Sequence, residues 1–422
     1  MGFIKSCLVL NAVVLAVLTA YLYNPLPAGV REPWKVQPLL MLGGAGTLLA
    51  KSLTYLGVND LPNNLRTTAE MSLKSDSSQF GDVKVRRDTL AGVPVIVYRP
   101  TSLGGRQKAP AVVFFHGGGF VVGCVDTYDL TVYDIAKGSQ SVVISVDYRR
   151  APEHPFPAAP ADCLAVTEYV LTYGGEDRLN VDVHRVGVAG DSAGGNLAAV
   201  VALRLSQSQE NDELPSLKFQ VLYYPLIQAV DFRTPSYVDN NDATPNLQTT
   251  RYFIGYMMGL YFGLSSEESI QAGLLMDQNL HIPDDVRKLK ISKYVNSQML
   301  PAEFRTPKMA PPPRTETQVN ETLYKRIASV LVDPLFCPMF ADDVSGVPPA
   351  FIHAAEFDVL RDDALMYSAK LKAAGVKVIE YISRGGYHSE IFTFKGLEFL
   401  FPDTGKKALA ASFKFMRGVF GN

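Results

Sequence analysis

Cysteine is scarce in this sequence, and its four copies stand apart: Cys7, Cys124, Cys163 and Cys337 form no CxxC pair. That spacing speaks against a zinc site, whose ligands come paired at short intervals. Cys7 lies in an apolar leader. The other three would allow one disulfide, although buried free thiols are the simpler reading. An excess of one charge is also missing. Lys and Arg number 40 against 42 for Asp and Glu, a formal net charge of −2. Nothing therefore points to a nucleic acid partner. No internal repeat is evident. The chemistry proposed below needs no metal and no cofactor.

Long apolar runs are absent with one exception. Ser6 to Tyr23 is interrupted only by Ser6, Asn11 and Thr19. Its length, about 18 residues, is near the minimum for a membrane span. Cleavage as a signal peptide is the competing reading, but Leu18-Thr19-Ala20-Tyr21 offers no good small-x-small site. An uncleaved anchor over residues 1–24 is expected. Lys5 precedes the run while Arg31 and Lys35 follow it, so the count of positive charges does not set its orientation. Asn320-Glu321-Thr322 is a lone glycosylation sequon, which matters only if the body is lumenal.

The 422 residues are enough for one large α/β domain with insertions, or for two domains. Pro25 and Pro27 break the leader. Residues 25–80 read as an N-terminal cap or membrane-proximal segment. Within them, 38–58 is apolar but interrupted by Gly43, Gly44 and Gly46. It is a cap helix over a pocket, a segment lying on a bilayer, or a core helix. From 81 to 227 short apolar runs alternate with helical stretches. Val93–Tyr98, Ala111–Phe115, Ser141–Asp147, Arg185–Ala189 and Lys218–Tyr224 read as strands, and Pro160–Tyr173 as a helix. Residues 228–332 break that rhythm and read as an inserted cap, with a helix near Thr250–Tyr261. The rhythm resumes over 333–422: strand Pro348–Ala354, helix Asp362–Ala374 closed by Gly375, strand Val376–Tyr381 and helix Gly405–Val419. The fold class is α/β with a mostly parallel central sheet, helices on both faces and a helical cap.

The chemistry centres on Val186–Asn196. An apolar strand runs into Gly190-Asp191-Ser192-Ala193-Gly194, and a helical stretch follows. Glycine at 190 and 194 suits a turn too tight for side chains, with Ser192 held above the sheet edge as a nucleophile. The amide of Ala193 then lies beneath a developing negative charge. His116-Gly117-Gly118-Gly119 follows the buried strand Ala111–Phe115 and supplies the second oxyanion element, with Gly117 and Gly118 as donors. His116 is expected to orient that loop. Acid and base should follow Ser192 in order. His353 lies within a strand and reads as a core histidine, and His281 lies in the cap region. His388, in Arg384-Gly385-Gly386-Tyr387-His388-Ser389, sits in a loop just past the last strand and is the candidate base. Asp358 is the candidate acid, Glu356 its alternative, and Asp362 a helix cap. The scheme is a Ser192, His388, Asp358 triad that forms and hydrolyses an acyl-enzyme.

Four motifs together resemble the hormone-sensitive-lipase branch of the α/β-hydrolases. They are the His116-Gly-Gly-Gly loop, Asp147-Tyr148-Arg149 with Ala151-Pro152-Glu153-His154-Pro155, the Gly190–Gly195 elbow, and Asp358-x-Leu360-Arg361-Asp362. Pro25-Leu26-Pro27, Glu32-Pro33-Trp34, Lys293-Tyr294-Val295-Asn296 and Leu300-Pro301 are similar to the arylacetamide deacetylase group within that branch. The resemblance implies a serine carboxylesterase for lipophilic esters or arylamides. It also implies a single-pass anchor in the endoplasmic reticulum membrane, with the body in the lumen. Arg150, Cys124 and Ala355 depart from the group's pattern, and Ala355 stands where the partner of its disulfide would be. Aromatic and Met residues of 252–262 are expected mainly to pack the cap, with some lining an apolar acyl pocket. Reuse of the scaffold as a binding module, or an idle site on a structural membrane protein, are the alternatives; His388 argues against the first.

Overall fold

The structure is a computed structural model describing residues 19–421, apart from 75–79, 105–106, 176–178, 209–213, 244–248 and 310–318. Most of the expected anchor, Ser6–Tyr23, lies outside the described residues. No described helix is long and apolar enough to cross a membrane.

Eight strands form one sheet: β1 Val83–Leu90, β2 Val93–Pro100, β3 Ala109–Phe115, β4 Val142–Val146, β5 Val181–Asp191, β6 Gln220–Tyr223, β7 Ala350–Phe357 and β8 Val378–Tyr387. Their spatial order is β1-β2-β4-β3-β5-β6-β7-β8. Pairing is antiparallel from β1 to β2 and from β2 to β4, and parallel across the remaining strands. The core follows from the alternation of side chains along each strand. In β3, Ala111, Val113 and Phe115 enter one apolar cluster, while Val112 and Phe114 enter another. Both faces are therefore covered, which is why the run Ala111–Phe115 is apolar without a break.

Helices α1 Pro33–Tyr55 and α2 Leu61–Leu73 precede the sheet. Helix α3, Asp129–Ser139, shares one cluster with the C-terminal helix Asp403–Phe420, through Val132, Ile135 and Leu409. The opposite cluster takes α4 Ala158–Tyr173 and α5 Ala193–Ser208, through Val166, Val170, Leu197 and Val201. Between β6 and β7 no strand occurs among the described residues. This stretch contains the helices α6 Pro235–Asp239, α7 Arg251–Tyr261, α8 Ser266–Asp277 and α9 Glu321–Leu331. Helix α10, Arg361–Ala373, follows β7, and α11, Asp403–Phe420, closes the chain.

Three sequence expectations change. Residues 38–55 of the apolar stretch 38–58 lie in one continuous helix, α1, despite its glycines, and 56–58 follow its end. Strand β8 does not end at Tyr381 but runs to Tyr387, because its pairing with β7 continues past an irregularity to Phe357↔Tyr387. His388 thus follows the strand end directly, and Gly385-Gly386 lies in the irregular stretch of β8 between the pairs Ala355↔Ser383 and Phe357↔Tyr387. Strand β1 and helices α2 and α3 are additional elements; β1 is a half-exposed edge strand with four charged residues among eight.

Candidate active site

The parallel strands β3, β5, β6 and β7 end side by side. Phe115 pairs with Gly190, Asp191 with Tyr223, and Tyr223 with His353. Candidate groups from distant parts of the chain therefore meet at one edge, as open α/β sheets arrange them.

Ser192 occupies the turn from β5 to α5 with φ 55°, a left-handed conformation uncommon for a residue with a side chain. Its amide donates to the Tyr223 carbonyl at 2.9 Å, and its carbonyl accepts from Asn196 and Leu226 at 3.1 Å each. The flanking glycines are required by close approach. A Cβ on Gly190 would lie 2.1 Å from the Gly194 carbonyl oxygen, and one on Gly194 2.0 Å from that of Phe115.

His388 Nε2 lies 3.1 Å from Ser192 Oγ, and His388 Nδ1 lies 2.8 Å from Asp358 Oδ2. With Nδ1–H donating to Asp358, Nε2 is left to accept the serine hydroxyl proton. Asp358 is 1% exposed and His388 4%. The other Asp358 oxygen accepts the Leu360 amide at 2.9 Å. The structure brings together Ser192, Asp358 and His388.

The alternatives are placed elsewhere. Glu356 accepts the Gly385 amide at 2.9 Å and braces β8. Asp362 is not the helix cap: the N-cap position is Leu360, and the Asp362 carboxylate, inside the first turn, accepts the Ser236 amide at 2.7 Å. His353 is fully buried, with Nε2 2.9 Å from Glu390 Oε1. In His281, Nε2 lies 2.9 Å from the Ala229 carbonyl, and burial pushes the ring down to about 3, so it stays neutral and donates there.

The oxyanion loop brings a correction. The Gly117 amide is already engaged, donating to Asp191 Oδ1 at 2.8 Å and to Tyr128 Oη at 3.1 Å. It has no N–H left for an oxyanion. Gly118 and Gly119 border the cavity beside Ser192, and among the described residues no acceptor is found for their amides or for that of Ala193. The amides left open beside Ser192 are therefore those of Gly118, Gly119 and Ala193. Asp191 is the brace beneath them, its second oxygen accepting from Tyr128 at 3.0 Å. Burial pushes its carboxyl up to about 6. His116 lies inside the loop base. It is fully buried, stacked on Tyr148 at 4.2 Å, and burial pushes it down to about 3. Its Nδ1–H donates to the Gly117 carbonyl at 2.8 Å. Arg150 donates to the carbonyl of Gly123 in the same loop.

Above the triad lies a cavity of about 250 Å³. Its apolar walls include Leu65, Phe253, Ile254, Met257, Met258 and Phe392, and Leu42, Gly46 and Thr68 come from α1 and α2. Of the cap aromatics, Tyr256 and Tyr261 are buried in the core, and Tyr261 stacks on Phe120 at 4.0 Å. Cys124, Cys163 and Cys337 are free and buried.

A model of the alpha/beta hydrolase fold matches residues 112–290 and 278–391. Arylacetamide deacetylase of Bos taurus is 33% identical over 400 residues, spanning 93% of this chain and 94% of that protein. Neutral cholesterol ester hydrolase 1 of Mus musculus is 30% identical, spanning 92% and 94%. A fungal esterase structure from Rhizomucor miehei superposes with a TM-score of 0.61 at 27% identity, covering 85% of this chain and 90% of the other. The chain belongs to the α/β-hydrolases. It falls in the group that holds those two relatives, and with the family comes the class: a serine hydrolase of the carboxylic-ester kind.

Three residues of the hydrolase site escaped the sequence reading. Tyr128 takes up the Gly117 amide of the oxyanion loop. Tyr224 lays its ring against His388 at 4.8 Å. Asn240 donates to the Asp358 carbonyl at 2.9 Å. None of the three stands in a motif; Gly119 was visible as a member of the glycine triplet, but not as a free amide.

Proposed function

We propose that this hydrolase cleaves lipophilic carboxylic esters and arylamides through an acyl-enzyme on Ser192. One observation carries the reading: the Ser192–His388–Asp358 chain, at 3.1 and 2.8 Å, opens into an apolar cavity beside the amides of Gly118 and Gly119. In this mechanism His388 takes the Ser192 proton as Oγ attacks the carbonyl carbon. The oxyanion accepts from Gly118, Gly119 and Ala193, at about 3 kcal/mol per donor. His388 then protonates the departing alcohol or amine. Water, activated by the same imidazole, releases the acid. Asp358 holds the imidazole in the working tautomer.

The cavity supports a compact acyl group. About 250 Å³ lies just under the usual range of ligand sites, roughly 300–1,000 Å³. One relative is a deacetylase of arylacetamides and the other a cholesterol ester hydrolase by name. The cavity fits a small acid portion in either case, with the alcohol or amine toward the mouth. A fluorophosphonate probe should label the wild type and not Ser192→Ala. Hydrolysis of p-nitrophenyl esters should peak at a short acyl chain; failure of the wild type to label or to cleave any ester or arylamide would sink the reading.

The proposal extends to location. The apolar run Ser6–Tyr23, with no good cleavage site at its end, supports an uncleaved membrane anchor, and the resemblance of the motifs implies the endoplasmic reticulum with the catalytic body lumenal. Residues 228–332 then form the cap over the site. Asn320 is exposed at the start of α9 and caps it through Oδ1, which accepts the Leu323 amide at 2.9 Å. The glycan-bearing atom, Nδ2, is not the one engaged there. A lumenal body should lose mass on endoglycosidase treatment, and Asn320→Gln should not.

A further inference from the structure

Helix α1 has an outer face that the active site does not explain. Between Lys35 and Lys51 the helix carries no charged residue. Its inner side contributes Leu42, Gly43, Gly46 and Thr47 to the cavity. Over residues 33–50 every exposed position of its outer side is apolar, Trp34 at 63% and Leu49 at 44% with Pro33 and Pro38; the last turn exposes Lys51 and Ser52 beside Tyr55 at 91%, and Leu56, the C-cap, follows at 72%. A helix that faces water carries polar groups on that face; one that is apolar all round is buried in protein or in lipid. Helix α2 is more mixed, its exposed positions being Thr67, Glu70 and Ser72 beside one apolar residue, Met71.

We propose that the outer face of α1 lies in the surface of a lipid bilayer, so that the cavity mouth opens at the membrane. This rests on the anchored-hydrolase reading above and deepens it. The helix lies along the surface and does not cross it, because no described helix is long and apolar enough to span. The chain leads there directly. The apolar run ends at Tyr23, and Asn24–Glu32 spans at most about 30 Å before α1 begins. Tyr21 and Tyr23, at the near end, are 71% and 55% exposed. The one exposed wall residue is Ser72 on α2, and half-buried Gly43, Gly46 and Ala69 lie beside it on α1 and α2, although Val122, Ser389 and Phe394 elsewhere on the wall are half-buried too. The two helices are held together by Asn64 Nδ2, which donates to Thr54 Oγ1 at 2.9 Å. A lipophilic ester dissolved in the bilayer would enter between them without crossing water.

The test uses the full chain and its single tryptophan. In Trp34→Phe/Leu56→Trp the only indole sits at position 56, about 33 Å along the helix from position 34 and remote from the anchor. The variant is reconstituted into phosphatidylcholine vesicles with brominated acyl chains. Its emission should fall roughly twofold or more relative to unbrominated vesicles, the mark of an interfacial side chain. Co-flotation with vesicles but no quenching keeps the anchor and overturns the docking; failure to co-float overturns both. A second arm uses Leu49→Glu/Leu56→Glu, neither residue lining the cavity. Turnover of a water-soluble acetyl ester should be unchanged, while that of a long-chain ester carried in the vesicles falls roughly tenfold. Equal rates on the vesicle substrate, or equal losses on both substrates, overturn the proposal.

Discussion

The floor and the roof of the cavity are built on opposite principles. The floor is the sheet edge: Ser192, the glycine loop, Asp358 and His388, a polar set whose braces are themselves buried and bonded. Asp191 ties Gly117 and Tyr128, Asp358 ties Leu360, and Glu390 ties His353. The roof is α1, α2 and α7, apolar on the inside, with α1 apolar at its exposed positions up to Ala50 as well. A floor of fixed donors and acceptors suits charge that develops during reaction. An apolar roof selects by size and by partition from lipid. Changes to the floor should therefore alter kcat whatever the ester, while changes to the roof should alter which ester is used.

The largest effect tests this division outright. Ser192→Ala and His388→Ala should each lower kcat by about 10⁴ or more on short and long esters alike, as for residues that act as one unit. The double variant should be scarcely worse than either single one. Steady-state kinetics on two chain lengths reads the result; a loss confined to one chain length would erase the division.

The floor was legible because its signals are local. Strand, Gly190-x-Ser192-x-Gly194 and helix lie in one stretch, and His116-Gly117-Gly118-Gly119 directly follows a strand. The identity of the donor amides was not legible. Gly117 and Gly119 look alike in sequence, and only folding spends the first on Asp191, 74 residues away. The β8 boundary was missed for a related reason. Gly385-Gly386 reads as loop, yet Glu356 on β7 accepts the Gly385 amide and pairing continues to Tyr387. Asp362 has the residue type of a cap, but it answers to Ser236, 126 positions earlier. The roof was hardest to read, because α1 and α2 join the site from outside the sheet and no motif marks them. The apolar stretch 38–58 was visible, but its choice between cap and membrane surface depends on which side chains remain exposed.

Asp191 sharpens the comparison at the next level. Its carboxylate holds the Gly117 amide and Tyr128, and it lies close enough to stabilise a positive His388. Asp191→Asn keeps the shape but removes the charge, and should lower kcat roughly tenfold on every ester. The sign for stability is the reverse. Burial raises the folded carboxyl from 3.8 to about 6, so ionisation is disfavoured in the folded state. The associated loss of stability, on the order of 3 kcal/mol, grows as pH rises from about 4 to about 6 and is complete above that. Denaturant melts of the wild type should show that decline relative to Asp191→Asn. Parallel curves across this window would show that the carboxyl is not raised.

The smallest effect concerns a residue whose position in the chain and place in the site disagree. Asn240 lies in the stretch expected to form the cap, yet its Nδ2 donates to the carbonyls of Asp358 and Glu356 at 2.9 and 3.1 Å. By contact it belongs to the floor. Asn240→Ala leaves both carbonyls without that donor and should cost about 1–3 kcal/mol of stability. It should also lower kcat by a few-fold, through a looser Asp358, with KM unmoved and the same factor on short and long esters. A rise in KM that grows with chain length would instead make Asn240 part of the roof. The boundary between floor and roof would then follow the chain, with the whole inserted segment serving substrate choice and none of it serving the chemistry.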